Sequence, residues 1–156
     1  MFAHNLFDFA EKYAYTFDYP DVVYIACTPE HQAEIQACGK RAIFLPLSVD
    51  VGYVSQFRRE KTKDTAFVGR TFWREGVGFP DGTDLLEMLP REELLARMAE
   101  YRRVYAVSRC AIEAKVLGCE VLPYHPMFPN PDFWRVLDSK DAAGILQVEL
   151  DKIDGV

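Results

Sequence analysis

Apolar residues in this chain fall into two alternating rhythms, and the alternation predicts the architecture. Short β-branched and aromatic runs, DVVYIAC at 21–27, RAIFLPLSVD at 41–50, TAFVGR at 65–70, VYAV at 104–107 and CEVLPY at 119–124, have the composition of buried strands. DLLEML at 84–89 reads as a brief further strand. Between these runs the signals are helical. Thr28 is placed to cap, Pro29 to occupy the first turn, Glu30 to sit near the positive end, and Gly39 to stop the helix. Pro90 opens a second helix, with Glu92 and Glu93 in its first turn, Leu94, Leu95, Met98 and Tyr101 on one face, and Arg102 and Arg103 at its end. Ser108 caps a third over 109–117, which Gly118 ends. At the N-terminus Phe2, Leu6, Phe9 and Tyr13 predict a helix over 2–14. Near the C-terminus a helix over about 139–153 carries Ile145, Leu146, Val148, Leu150 and Ile153 as its buried stripe. Residues 51–63 and 74–83 read as connections.

Strands alternating with helices imply an α/β fold: a mostly parallel, Rossmann-like sheet with helices on both faces. The length, 156 residues, suits a single compact domain, and 49% hydrophobic with 27% charged residues is a folding composition. The net charge of −6 argues against nucleic acid as a partner. The one dense basic run, Arg58, Arg59, Lys61 and Lys63, is broken by Glu60 and reads as a solvated linker. Cys27, Cys38, Cys110 and Cys119 have neither zinc-ligand nor redox-pair spacing, so no metal is expected, and reduced thiols in a cytoplasmic protein are the default. No apolar run has the length of a membrane span.

In parallel sheets ligands collect beyond the carboxyl ends of the strands, which selects two corners. At one, the backbone amides of Arg109, Cys110 and Ala111 behind Ser108 form an anion site, and Glu113, one turn further in, offers a carboxylate to hydroxyls such as those of a ribose. The bland alternative is an ordinary surface pair of Arg109 with Glu113, four residues apart. At the other corner, Gly69 permits a sharp turn and Arg70 with Arg74 can neutralise a diphosphate. His125, in the loop after the last strand, is a weaker candidate base. No nucleophile elbow, Walker loop or GxGxxG is present.

These motifs, in this order, resemble the nucleotide-sugar-dependent glycosyltransferases of GT-B fold, in particular the large retaining, glycogen-synthase-like group. Ser48, Val49 and Asp50 match a Gly-Val-Asp-like turn, Val68, Gly69 and Arg70 a phosphate-binding Val-Gly-Arg, and Glu113, Ala114 and Gly118 a Glu-Ala-x-x-x-Gly. The resemblance covers roughly residues 20 to 153. It implies that Glu113 holds the donor ribose, that Arg70 meets the diphosphate and that the amides at Cys110 and Ala111 assist. Tyr105 stands where the family often has a second Glu, and Glu75 where a Lys commonly follows the Arg, leaving Arg74 as the substitute.

On this reading residues 1–50 are a remnant of the N-terminal half with a linker, and 64–156 a reduced donor-binding half. The expected ligand is a nucleotide or nucleotide-sugar, as substrate and without a cofactor. One half cannot close around donor and acceptor, so transfer requires a homodimer or partner subunit, with the aromatic N-terminus as the docking place. The N-terminal stripe otherwise packs on its own core. The alternative function is a non-catalytic scaffold that binds a protein or sequesters a nucleotide.

Overall fold

In the computed structural model, which describes residues 2–3, 22–69, 78–123 and 128–154, the alternating pattern resolves into an α/β, Rossmann-like arrangement of parallel strands in two sheets. The chain divides into two units, residues 1–47 with 140–156, and residues 48–139.

In the first unit β1 (Phe2–Ala3), β2 (Val23–Ala26) and β3 (Arg41–Phe44) lie side by side in that order. Residues 2 and 3 therefore form a strand, not the start of a helix, because their backbone pairs with Ile25 and Ala26. Residues 4–21 lie outside the described residues, and with them most of the aromatic stripe and His4. Helix α1 (Pro29–Ala37) forms as its caps dictate: the Thr28 hydroxyl accepts from the His31 amide at 3.1 Å, and Gly39 takes the left-handed conformation, φ 74°, that ends it. Tyr24, Ala26, Ile35 and Ala42 form this unit's core. The C-terminal helix, α5 (Ser139–Asp154), belongs to the same unit. Its expected stripe is not buried throughout: Ile145 and Val148 are exposed.

The second unit holds helix α2 (Val51–Ser55), the four strands β4 (Lys63–Gly69), β5 (Asp84–Glu87), β6 (Tyr101–Tyr105) and β7 (Glu120–Leu122), helices α3 (Arg91–Met98) and α4 (Ser108–Val116), and a 3-10 turn at Pro131–Phe133. Part of the expected connection 51–63 is thus helical. Asp50 nucleates it by accepting the Tyr53 amide at 2.8 Å. The pairing that closes β6 onto β4, Lys63 with Tyr101 and Phe67 with Tyr105, also corrects the expected helix tail: Tyr101, Arg102 and Arg103 are strand, and Arg103 pairs with Asp64 on the neighbouring strand.

The strand order is β5-β4-β6-β7, all parallel. The chain leaves β4 toward β5 and then returns past β4 to β6, so the topological switch point lies between β4 and β6. The crossovers through α3 and α4 run in the same direction across the sheet, and right-handed connections place both helices on one face. Helix α3 accordingly packs on β5 and β6, and α4 on β6, β7 and α2.

The basic run is not a solvated linker. Lys61 Nζ donates to Ala99 O at 2.8 Å and Leu117 O at 2.9 Å, the carbonyls at the C-terminal ends of α3 and α4. Arg58 Nε donates to Val116 O at 2.5 Å, and Arg59 and Lys63 meet Glu100. The cations sit where helix dipoles and orphan carbonyls favour them.

Candidate functional site

The carboxyl ends of β4, β5 and β6 form one edge of the second sheet, and the switch-point crevice opens between Gly69 and the turn at 106–108. Both corners identified from the sequence therefore lie on this edge, on adjacent strands. Arg70, Arg74 and Glu75 lie outside the described residues, as does His125.

Gly69 is the last residue of β4, and the turn expected to follow it lies outside the described residues. Within the strand its lack of a side chain has a steric reason. A methyl group there would stand 2.8 Å from Phe67 Cζ, because the Phe67 ring lies over the glycine on the same face of the strand. Phe67 stacks on Phe79 at 5.0 Å, and Phe79 on Tyr105 at 5.0 Å.

At the other corner the cap also differs from expectation. The helix begins at Ser108 itself, Val107 is the cap residue, and among the described residues no side chain caps the first amides. Ala111 donates to Val107 O at 3.4 Å, so its amide belongs to the helical ladder, while those of Ser108, Arg109 and Cys110 precede it. Ser108 adopts φ 60°, a left-handed conformation that costs a non-glycine residue about 1–3 kcal/mol. Ser108→Gly should therefore raise stability by about 1 kcal/mol, read as a shift of the urea midpoint at unchanged slope. An unchanged or lower midpoint would show that the turn is not strained.

Glu113 lies among Ala111, Ile112, Ala114 and Val116 on a helix buried nearly all round, and its side chain is only 3% exposed. A carboxylate in such a setting needs a partner. The partner is Arg91, the first residue of α3, whose Nη2 lies 2.8 Å from Oε1. Arg109 is exposed and contributes only its field, so the expected surface pair with Glu113 does not form. The Arg91 approach is close but poorly directed: among the described residues Oε1 accepts no aligned hydrogen bond. Burial is the dominant influence and pushes the carboxyl above its ordinary range, while Arg91 and then Arg109 pull it back. Stability linked to this group is full below the ordinary carboxyl pKa and declines as pH rises through the raised one. Burial, reinforced by Glu113, lifts the Cys110 thiol to about 11, so it is protonated at neutral pH and is no nucleophile.

Two residues not singled out from the sequence complete the site. The Arg91 guanidinium carbon lies 6.0 Å from the centre of the Tyr53 ring, and the Tyr53 hydroxyl donates to Glu92 Oε1 at 3.2 Å. A signal for Arg91 existed: a cation at the first position of a helix opposes the macrodipole, so it calls for a nearby anion. Helices α2, α3 and α4 thus bring Tyr53, Arg91 and Glu113 together beside an uncapped helix start. The arrangement offers a buried acceptor with unmet capacity, two guanidinium groups, and free amides on the edge where α/β sheets take ligands. No candidate metal cluster of His, Cys, Asp and Glu occurs among the described residues, and no helix among them is long and apolar enough to cross a membrane. No family model matches the chain, and neither a curated protein nor a solved structure matches it.

Proposed function

We propose that residues 48–139 bind a nucleotide or nucleotide-sugar in the manner of a reduced GT-B donor half, with any glycosyl transfer dependent on a second copy or a partner subunit. One observation carries the reading: Glu113 is buried one turn behind a helix start that no described side chain caps, on the switch-point edge, with an oxygen that no aligned donor among the described residues fills. Phosphate suits the free amides and the arginines. Vicinal hydroxyls of a ribose suit the carboxylate. The chemistry of this chain is then binding and orientation: guanidinium groups neutralise the phosphates, and Glu113 fixes the sugar.

A second reading, a binder without transfer activity, is favoured by Tyr105. Where the resembled enzymes often carry a second carboxylate, this chain has a ring stacked on Phe79 at 5.0 Å. An aromatic stack cannot supply a carboxylate to a donor sugar.

Thermal shift with UDP, GDP, ADP and their sugars tests the proposal. A ligand at one hundred times its dissociation constant should stabilise the fold by about 2.7 kcal/mol. Glu113→Gln keeps the shape and removes the charge, so it should weaken binding about tenfold or more while the apo protein stays folded, reducing that stabilisation by about 1.4 kcal/mol. Equal shifts in the two proteins would remove Glu113 from the site. Release of free nucleoside diphosphate from a bound sugar donor would distinguish the transferase from the binder.

A further inference from the structure

We propose that Arg91 is a displaceable plug: in the free protein it occupies the Glu113 carboxylate, and an entering ribose displaces it so that its guanidinium turns to the phosphate of the same ligand. This rests on the nucleotide reading above and adds a moving part to it.

The ion pair has the features of a provisional contact. Arg91 Nη2 is 2.8 Å from Oε1, yet no aligned hydrogen bond joins them, so charge rather than directed bonding holds the pair. The Arg91 side chain is 44% exposed, whereas that of Glu113 is 3% exposed, so the cation can leave into solvent but the anion cannot. The helix dipole opposes a cation at the start of α3, which leaves Glu113 and the face of Tyr53 as its holding groups. A carboxylate this buried cannot stand unpartnered, so whatever displaces Arg91 must donate hydrogen bonds. Two adjacent hydroxyls do this with better direction than the guanidinium. Arg91 and Arg109 both act on the charge of Glu113, so a released Arg91 stays within reach of a ligand whose ribose sits on that carboxylate and can turn to its phosphate. The exchange moves no covalent bond: one acceptor changes donors, and one cation changes anions.

The plug predicts opposite effects on two halves of one ligand. Arg91→Met keeps the stem against Tyr53 and removes the competing charge. In calorimetric titrations of the full chain with uridine, guanosine and adenosine and with UDP, GDP and ADP, the variant should bind the nucleoside about fivefold more tightly than wild type. It should bind the corresponding diphosphate about tenfold more weakly. Arg91→Lys, with a charge but no fork, should fall between the two. Wild type silent toward nucleosides with Arg91→Met binding one would equally support the plug. If nucleoside and diphosphate affinities move together, or not at all, the plug is overturned and nucleotide binding stands. If neither wild type nor Arg91→Met binds any of the six compounds, the nucleotide reading falls and the plug with it. Arg91→Met leaves the buried Glu113 without its cation and should melt below wild type; a cooperative melt with its midpoint above the titration temperature shows that the comparison is made on folded protein.

Discussion

Lys61→Met should destabilise the second unit by about 3 kcal/mol, although the residue lies in a stretch that reads as a charged connection. Its ammonium has three donors, and each has a destination: Ala99 O at 2.8 Å, Leu117 O at 2.9 Å and Cys119 Sγ at 3.3 Å. The two carbonyls close helices α3 and α4, and Ala99 and Leu117 are themselves 0% and 2% exposed. Methionine preserves most of the packing of the stem, so the loss is electrostatic. Each buried acceptor left unmet costs about 1–3 kcal/mol, and the opposed dipole ends lose their shared cation. The sum is a large fraction of a typical stability of 5–15 kcal/mol. Arg58, which is exposed and reaches one carbonyl, serves as the control, and its replacement should cost about 1 kcal/mol. Both tryptophans, Trp73 and Trp134, belong to residues 48–139, so their fluorescence in urea reports this unit. A loss below about 0.5 kcal/mol for Lys61→Met would mean that the helix ends are satisfied without it.

The same lysine shows what the sequence could and could not reveal. Signals that act within one turn were legible: Thr28, Pro29 and Gly39 delimit α1, Gly118 at φ 80° ends α4, and the run from Ser139 makes α5. The α/β class followed from these, as did the edge on which the candidate site lies. Interactions across the fold were not legible. Lys61 reads as solvated because its acceptors are main-chain atoms 38 and 56 residues away. Tyr101 to Arg103 reads as the end of a helix because Arg102 and Arg103 suit a helix C-terminus, yet pairing with β4 overrides that local preference. Helix α2, at five residues, is too short to show a period, although its cap, Asp50, was in view. Glu113 was found because a carboxylate stands out among small apolar neighbours. Arg91 was missed because only the two same-handed crossovers place it beside Glu113.

Gly69 admits two explanations that predict different measurements. If a phosphate-binding turn were its whole purpose, a side chain there would harm ligand binding and leave the empty protein unaffected. The contact with Phe67 says otherwise. The Phe67 ring is 0% exposed, is backed by Phe79 and is 2.8 Å from the site of any added methyl group, so the ring has little room to withdraw. Gly69→Val should therefore destabilise the ligand-free second unit by about 2–3 kcal/mol, the scale of overpacking a filled core. Shrinking the ring relieves the clash. Phe67→Leu alone should destabilise, but Phe67→Leu with Gly69→Val should cost less than the two single changes added, by about 1 kcal/mol or more. Strict additivity would show that ring and glycine are not coupled, and the steric account would fail. Coupling of that size would mean that the Phe67–Phe79–Tyr105 stack sets the position of the β4 edge, because the strand ends where the ring allows the backbone to pass.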